Sequence, residues 1–294
     1  MRESIESGTS VSNAGTLYVV ATPIGNLEDM TPRAARILSQ VDLIAAEDTR
    51  HSRKLLTHYG ISTPLTSYYD QIERRKAPQL LEELKHGKSI ALISDAGTPG
   101  IADPGYHLVC AAIAAGVRVE AVPGPSAVAA ALSVAGLPTD RFAFEGFVPA
   151  RHGARCKFFA ALAHEPRTIV VYEAARRLLD CLTDLHATLG GDRQIVIVRE
   201  LTKMFEEILR GAAGGLAAQL RNRPLQGEVT LLIAGGEAPP IAPIEDLATA
   251  IARLRGEGMS LKEIARSLSK ERGLSRREVY QAGLTLEHTN SGPS

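Results

Sequence analysis

The stretch with the most chemical potential is Ser94-Asp95-Ala96-Gly97-Thr98-Pro99-Gly100-Ile101-Ala102-Asp103-Pro104-Gly105, which follows the apolar run Ser89–Ser94. Its glycines and prolines let backbone lie against a ligand at the carboxyl end of a buried strand, where open α/β sheets bind ligands. Its amides and carbonyls suit the amino-acid end or the adenine of a nucleotide-like molecule. The competing reading is a plain surface turn capped by Asp95. The pattern is neither Gly-x-Gly-x-x-Gly nor Gly-x-x-x-x-Gly-Lys-Ser/Thr, so no dinucleotide or ATP fingerprint is present.

Three further clusters sit at strand ends. Ala21-Thr22-Pro23-Ile24-Gly25-Asn26-Leu27 becomes a site only if its strand neighbours the one before Asp95. Glu47-Asp48-Thr49-Arg50-His51 offers two carboxylates, a guanidinium and an imidazole to align a hydroxyl, a phosphate or a base, although Asp48 or Thr49 can equally cap the next helix. In Arg199-Glu200-Leu201-Thr202-Lys203-Met204-Phe205-Glu206, Arg199 or Lys203 can meet phosphate and Glu200 can orient a sugar hydroxyl; simple solvation of these charges is the alternative. Arg151, Arg155 and Lys157 form a basic stretch, as do Arg176 and Arg177.

Elements of a consistent kind must hold these loops. Val- and Ile-rich runs at Leu17–Thr22, Val41–Ala46, Ser89–Ser94 and Val117–Val122 predict strands. Helical patterns at Arg53–Tyr59, Ala77–Lys85 and Gly105–Ala115 lie between them, and Thr31-Pro32 reads as a helix start. After Pro123-Gly124-Pro125, Ser126–Val134 is a small-residue helix. Strands at Phe142–Phe147, Thr168–Tyr172, Gln194–Arg199 and Glu228–Ile233, with a helix over Arg176–Leu189, make a second α/β block. The nearly continuous apolar runs imply strands covered on both faces. The expected domains are a disordered lead-in (1–15), an N-terminal α/β lobe (16–137), a second α/β lobe (138–236) and a helical tail (237–294) that opens on a Gly/Pro linker. Tail helices are predicted at Ile244–Arg255, Leu261–Leu268 and Arg276–Leu284, with capping boxes at Ser260 and Ser275, in the manner of a helix-turn-helix.

Composition narrows the class. Lys+Arg and Asp+Glu are equal at 33 each, which argues against a protein coated in nucleic acid, although a local basic face can hide in a neutral total. From Lys262 to Arg277 six basic residues stand against Glu263 and Glu271. With no Trp and 4% aromatics, base stacking is not the chief source of any affinity for RNA. The scattered Cys110, Cys156 and Cys181 show no Cys-x-x-Cys spacing, so no metal ligands are read and a reducing, cytoplasmic setting is expected. No long uncharged apolar run predicts a membrane span.

Taken in order, Leu17-Tyr-Val-Val-Ala-Thr-Pro-Ile-Gly-Asn-Leu, Ala46-Glu-Asp-Thr-Arg, Ile93-Ser-Asp-Ala-Gly-Thr-Pro-Gly-Ile-Ala-Asp-Pro-Gly and Val122-Pro-Gly-Pro-Ser-Ala resemble the tetrapyrrole methylase superfamily. Phe142-Ala-Phe-Glu-Gly-Phe, Tyr172-Glu-Ala, Arg199-Glu-Leu-Thr-Lys and Gly227-Glu-Val extend the likeness, most closely to its branch of small-subunit ribosomal RNA cytidine 2′-O-methyltransferases. The resemblance implies a two-lobed α/β fold with a small C-terminal helical domain, S-adenosyl-L-methionine in the cleft, a homodimer, and ribosomal RNA or the small ribosomal subunit as substrate. It places the cofactor on Pro23, Ser94, Asp95, Ala96, Gly97, Ile101, Ser126, Ala127 and Tyr172, with Leu201 and Thr230 beside them. Ser94-Asp95-Ala96 stands where tetrapyrrole enzymes carry Gly-Asp-Pro, which speaks against a porphyrin or corrin substrate. A ribose hydroxyl needs help to lose its proton, and Glu47, Asp48, Glu200 and Lys203 are the candidates. Arg50, Arg199, Lys270, Arg276 and Arg277 are the expected RNA contacts. A methyltransferase acting on a tetrapyrrole or a protein side chain, and a non-catalytic RNA-binding assembly factor, remain open.

Overall fold

The structure, a computed structural model, describes residues 14–236 and 245–290, with the side chains of the last helix up to Leu286. The lead-in before Ala14 and most of the Gly/Pro linker lie outside the described residues, as does Ile244. The chain divides into two compact units, Met1–Gly236 and Glu237–Ser294.

The first half of the larger unit runs β1 (Thr16–Val20), α1 (Pro32–Gln40), β2 (Leu43–Ala46), α2 (Thr49–His58), β3 (Leu65–Ser67), α3 (Asp70–Lys85), β4 (Ile90–Ile93), α4 (Tyr106–Ala114) and β5 (Arg118–Val122). Its strands form one parallel sheet in the order β3-β2-β4-β1-β5. Two buried clusters cover it: Ile37, Leu38, Ile44, Leu56 and Ile93 on one face, Leu17, Leu80, Leu84, Leu92 and Leu108 on the other. Coverage of both faces is why β4 is buried at every position rather than alternating. Because all five strands point the same way, the loops after β1, β2, β4 and β5 leave from one edge. This order also makes β1 and β4 direct neighbours.

The second half runs α5 (Ala127–Ala135), β6 (Phe142–Phe147), α6 (His152–Ala161), β7 (Thr168–Ala174), α7 (Leu178–Leu189), β8 (Gln194–Arg199), β9 (Glu207–Ala212), α8 (Ala213–Leu220) and β10 (Glu228–Ile233). Its sheet has the order β6-β7-β10-β8-β9, with β6–β7 parallel and the other pairs antiparallel. Phe159, Leu178, Leu182, Leu185 and Leu216 cover one face. The other is covered by α5, through Val128, Ala131, Leu132 and Ala135 against Val170, Val196, Val198 and Leu232.

That packing moves the seam. The sequence puts the lobe boundary after residue 137, yet α5 belongs to the second sheet by contact, so the break falls at Pro123–Ser126. Pro123 and Pro125 punctuate the chain there, while the Ala-rich helix itself carries no mark of which sheet it will cover. Other differences have local causes. α3 begins at Asp70, seven residues before the predicted Ala77, and runs through Pro78, since Glu73, Ala77, Leu80 and Leu84 bury one face of it. β3 has three residues, and the half-exposed β9 sits at a sheet edge, so neither carries a strong apolar run. The helices α6 and α8 also go beyond the elements the sequence predicts; both are short.

Glu73 is the buried fastener of this architecture. Its Oε1 accepts from the amides of Gly105 (2.9 Å) and His107 (3.1 Å) and from the Tyr68 hydroxyl (3.1 Å), tying α3 to the end of the long loop after β4. Glu73→Ala strands three donors, two of them buried, and is expected to cost on the order of 3 kcal/mol in denaturant unfolding. Glu73→Gln, which keeps an oxygen there, is expected to cost less than half of that. Equal losses for the two variants would contradict this role.

The smaller unit holds α9 (Leu247–Gly256), α10 (Leu261–Arg272) and α11 (Arg276–Asn290) around Ile251, Leu261, Ile264, Leu268 and Val279. Both capping boxes form: Ser260 with Glu263, and Ser275 with Glu278.

Candidate functional site

The loops of the first sheet are pinned to one another. Thr22 and Gly97 exchange both backbone hydrogen bonds (2.9 and 3.0 Å), and the Thr22 hydroxyl donates to the Ser94 carbonyl at 3.2 Å. Gly97 has φ +78°, a conformation that disfavours a side chain. The amide of Asp95 donates to Glu47 Oε2 (3.2 Å), and Asp95 Oδ1 accepts from the amide of Asp48 (3.0 Å). Thr98 Oγ1 donates to the Pro125 carbonyl at 3.3 Å, joining the long loop to the entry of α5.

Between this edge and the second sheet lies a cavity of about 390 Å³. From the first sheet it is lined by Ile24, Glu47, Asp95, Ala96, Gly97, Thr98, Ile101 and Asp103, and from the entry of α5 by Ser126 and Ala127. The second sheet adds Phe147, Tyr172, Glu173, Ala174, Val198, Leu201, Lys203, Glu228, Val229 and Thr230. Of the expected cofactor residues, Asp95, Ala96, Gly97, Ile101, Ser126, Ala127, Tyr172, Leu201 and Thr230 therefore come together. Pro23 and Ser94 are not among its lining residues, although each directly precedes one that is, and Ser94 is 2% exposed.

The expected reactive residues divide. Glu47 faces the cavity, and burial, followed by the charges of Asp95, Asp70 and Asp48, holds its carboxyl above the usual range despite the Asp95 amide. Asp48 is the N-cap of α2; the amides of Arg50 and His51 hold its carboxyl low. Glu200 and Lys203 pair at 2.9 Å, and Lys203 also reaches Glu228 at 3.1 Å. Burial opposes the Lys203 charge, but its two carboxylate partners outweigh it and raise its pKa. Lys203 is an ammonium at neutral pH and not a base. Arg199, an expected RNA contact, is engaged by Glu207 (3.1 Å) and the Gln226 carbonyl (3.2 Å). Arg155 is 4% exposed and bound to Asp184, and Arg177 is paired with Glu173, whereas Arg151, Lys157 and Arg176 are exposed. Arg50 is exposed on the first turn of α2.

Asp103 is the residue that sequence reasoning missed. Burial and then the Glu47 charge push its carboxyl up to about 7, against a Ser94 hydrogen bond that favours the ion. Ala102-Asp103-Pro104 reads locally as a turn, and only the fold-back of the loop onto Glu73 carries Asp103 into the cavity. Tyr172 lies opposite; burial first, then the Asp103 charge, raise its hydroxyl to about 12. The cavity thus has paired carboxylates, one ammonium, and the start of α5, whose Ser126 makes no side-chain cap and leaves its first amides available.

Comparison with known proteins accords with this arrangement. Residues 16–217 match the family described as Tetrapyrrole (Corrin/Porphyrin) Methylases. The chain belongs to that family. It is 47% identical over 275 residues to a Synechocystis protein named "Ribosomal RNA small subunit methyltransferase I", covering 93% of this chain and 99% of that one. A protein of the same name from Escherichia coli O157:H7 is 46% identical, with 93% and 96% covered. Among solved structures, uroporphyrin-III C-methyltransferase of Thermus thermophilus shares the fold, with a TM-score of 0.53 at 20% identity over 75% of this chain and 94% of that one. Diphthine synthase does so with a TM-score of 0.55 at 15% identity, covering 74% and 89%. Another Thermus thermophilus structure of the first enzyme, complexed with S-adenosylhomocysteine, gives a TM-score of 0.51 at 21% identity over 74% and 96%. Among the described residues no helix is long and apolar enough to cross a membrane.

Proposed function

We propose that the protein is an S-adenosyl-L-methionine-dependent methyltransferase that methylates a cytidine 2′-hydroxyl in small-subunit ribosomal RNA. The cavity between the two sheets carries this reading, because its chemistry fits the cofactor. Glu47, Asp95 and Asp103 complement a sulfonium and an ammonium, while the open amides at Ser126–Ala127 complement a carboxylate. Backbone at Asp95–Gly97, with Ile101, Tyr172, Leu201 and Thr230, supplies the walls. When bound, the cofactor would supply an electrophilic methyl group that a ribose oxygen attacks in line, the C–S bond breaking as the O–C bond forms and the sulfur leaving as a neutral thioether. The protein's share is alignment and removal of the hydroxyl proton. The Asp103–Glu47 pair suits that proton removal, since Asp103 takes the proton as its carboxylate becomes neutral, and Glu47 raises its affinity for it. Lys203, held charged by Glu200 and Glu228, offers a fixed positive charge to a phosphate beside the cavity. Small subunits lacking the modification, incubated with labelled cofactor, are expected to gain one methyl, mapped to a cytidine ribose. Label on the base, or none, sinks the reading.

The smaller unit is proposed to hold RNA. Lys262, Arg266 and Lys270 recur every four residues along exposed positions of α10, and Arg276 and Arg277 are exposed at the start of α11. Arg272 is engaged by Glu245, donating to its carbonyl, and the Ser275–Glu278 box occupies the entry of α11 with a carboxylate. Phosphate contact therefore falls to side chains and not to helix amides. Truncation after Gly236 is expected to leave cofactor binding intact and weaken RNA binding about tenfold or more at low salt, with the difference shrinking at high salt. Filter binding and a melting curve check this; unchanged RNA affinity at low salt, or loss of the fold, contradicts it. A homodimer is also proposed, through the apolar groove lined by Val128, Leu132, Leu137, Phe142 and Phe144. Cytoplasmic residence accords with such a substrate.

A further inference from the structure

Away from the cavity, on the outer layer of the second sheet, three donor atoms from two helices converge. His152 Nδ1 lies 2.9 Å from Asp184 Oδ1 and 3.7 Å from Cys156 Sγ, and all three atoms lie within 4.8 Å of one another. His152 and Cys156 are four residues apart on α6 and share a face of that helix, while Asp184 comes from α7. A tetrahedral zinc ion sets imidazole, thiolate and carboxylate donors about 3.3–3.6 Å apart, so small side-chain adjustments bring these three to bonding positions. We propose that His152, Cys156 and Asp184 form a binding site for a zinc-class divalent transition-metal ion.

The neighbours of the cluster support it. Arg155 donates from Nε to the other carboxylate oxygen, Asp184 Oδ2, at 2.6 Å, and from its guanidinium to the Ala150 carbonyl at 3.3 Å. This fixes the carboxylate plane and leaves Oδ1 facing the imidazole and the thiol, the orienting role that partners of metal ligands commonly play. The His152 side chain is 77% exposed, giving an ion an entry path and a fourth position for water. A thiolate with an imidazole selects zinc, cobalt or copper over the oxygen-seeking magnesium and calcium. On binding, the Cys156 thiol yields its proton to solvent, and the ion clamps α6 to α7.

The test uses the full chain, stripped with a chelator and titrated first with Co²⁺ and then with Zn²⁺. One Co²⁺ per chain is expected, with a near-ultraviolet sulfur-to-cobalt band that Zn²⁺ abolishes by displacement. Cys156→Ser is expected to remove the band and His152→Ala to weaken binding about tenfold or more, while Cys110 and Cys181 remain as thiol controls. Added Zn²⁺ raises the melting temperature of the wild type and not of the double variant. Absence of the band, or equal Zn²⁺ affinity and stoichiometry in H152A/C156S, overturns the proposal and reduces the cluster to a thiol–imidazole–carboxylate contact. Melting temperatures measured without metal identify any variant that fails to fold.

Discussion

Asp103→Asn is expected to lower kcat by about a hundredfold to ten-thousandfold, the range for loss of a general base. In the wild type, kcat/KM for the cofactor reports the free enzyme, so it is expected to rise with pH through about 7 and level off above it, as the Asp103 carboxyl ionises. The variant loses that inflection. Stability moves the other way. The folded protein holds this proton more tightly than the unfolded chain does, so stability attributable to Asp103 is complete below the unfolded pKa and declines as pH rises towards about 7. At pH 8 the wild type therefore carries an unfavourable half-buried charge, and Asp103→Asn is expected to melt higher by a few degrees. A folded Asn variant with undiminished turnover contradicts the assignment of the proton to Asp103. A wild type that methylates no RNA contradicts the proposed function instead, so the two failures are distinct.

Gly25→Ala is expected to weaken cofactor binding by about tenfold or more. A Cβ at this position would lie 2.5 Å from Lys203 Cγ, 2.8 Å from Thr202 Oγ1 and 3.0 Å from the Leu201 carbonyl oxygen. The loop after β1 thus rests directly on the loop after β8. That second loop is itself constrained, with Glu200 and Thr202 at φ +52° and +65° and the Thr202 hydroxyl buried without a partner. Since Ile24, Leu201 and Lys203 all line the cavity, an added methyl must part its two walls. Gly153→Ala in α6 is the control: its Cβ would meet nothing within 4 Å, and the change is expected to be neutral or to stabilise by up to about 1 kcal/mol. Calorimetric titration with cofactor distinguishes the two, and equal affinities would show that this contact does not shape the site.

Most of the site could be read from the chain because its residues cluster in short runs at strand ends, where composition and position agree. The loops at Ala21–Leu27 and Ser94–Gly105 carry their glycines and prolines openly, whereas the β1–β4 pairing that joins them is a matter of sheet order, which no local run of residues marks. Partnership was not legible. Arg155, Arg199 and Arg272 look alike in sequence, yet a buried Asp184, Glu207 on an edge strand and Glu245 just ahead of the neighbouring helix have claimed them. Asp103 was hidden for the opposite reason: nothing local marks a turn residue for burial, and the clamp that buries it starts 30 residues earlier at Glu73. The cluster of His152, Cys156 and Asp184 has a readable pair four residues apart and a third member 28 residues further on. Only folding supplies it.

The strand order of the second sheet also bears on how the protein is made. Its central strand, β10, is the last of the sheet to leave the ribosome, and it pairs with both β7 and β8. Until residues 228–233 emerge, the inner edges of β7 and β8 have no partner, and Thr230 is missing from the cavity wall. The first sheet, complete at Val122, can form much earlier. A chain stopped short of β10 would therefore expose two unpaired strand edges, a template for aggregation, beside a finished first lobe. The smaller unit, Glu237–Ser294, is synthesised after β10. Nascent-chain proteolysis should show the first lobe protected early and the second only after β10 has cleared the exit.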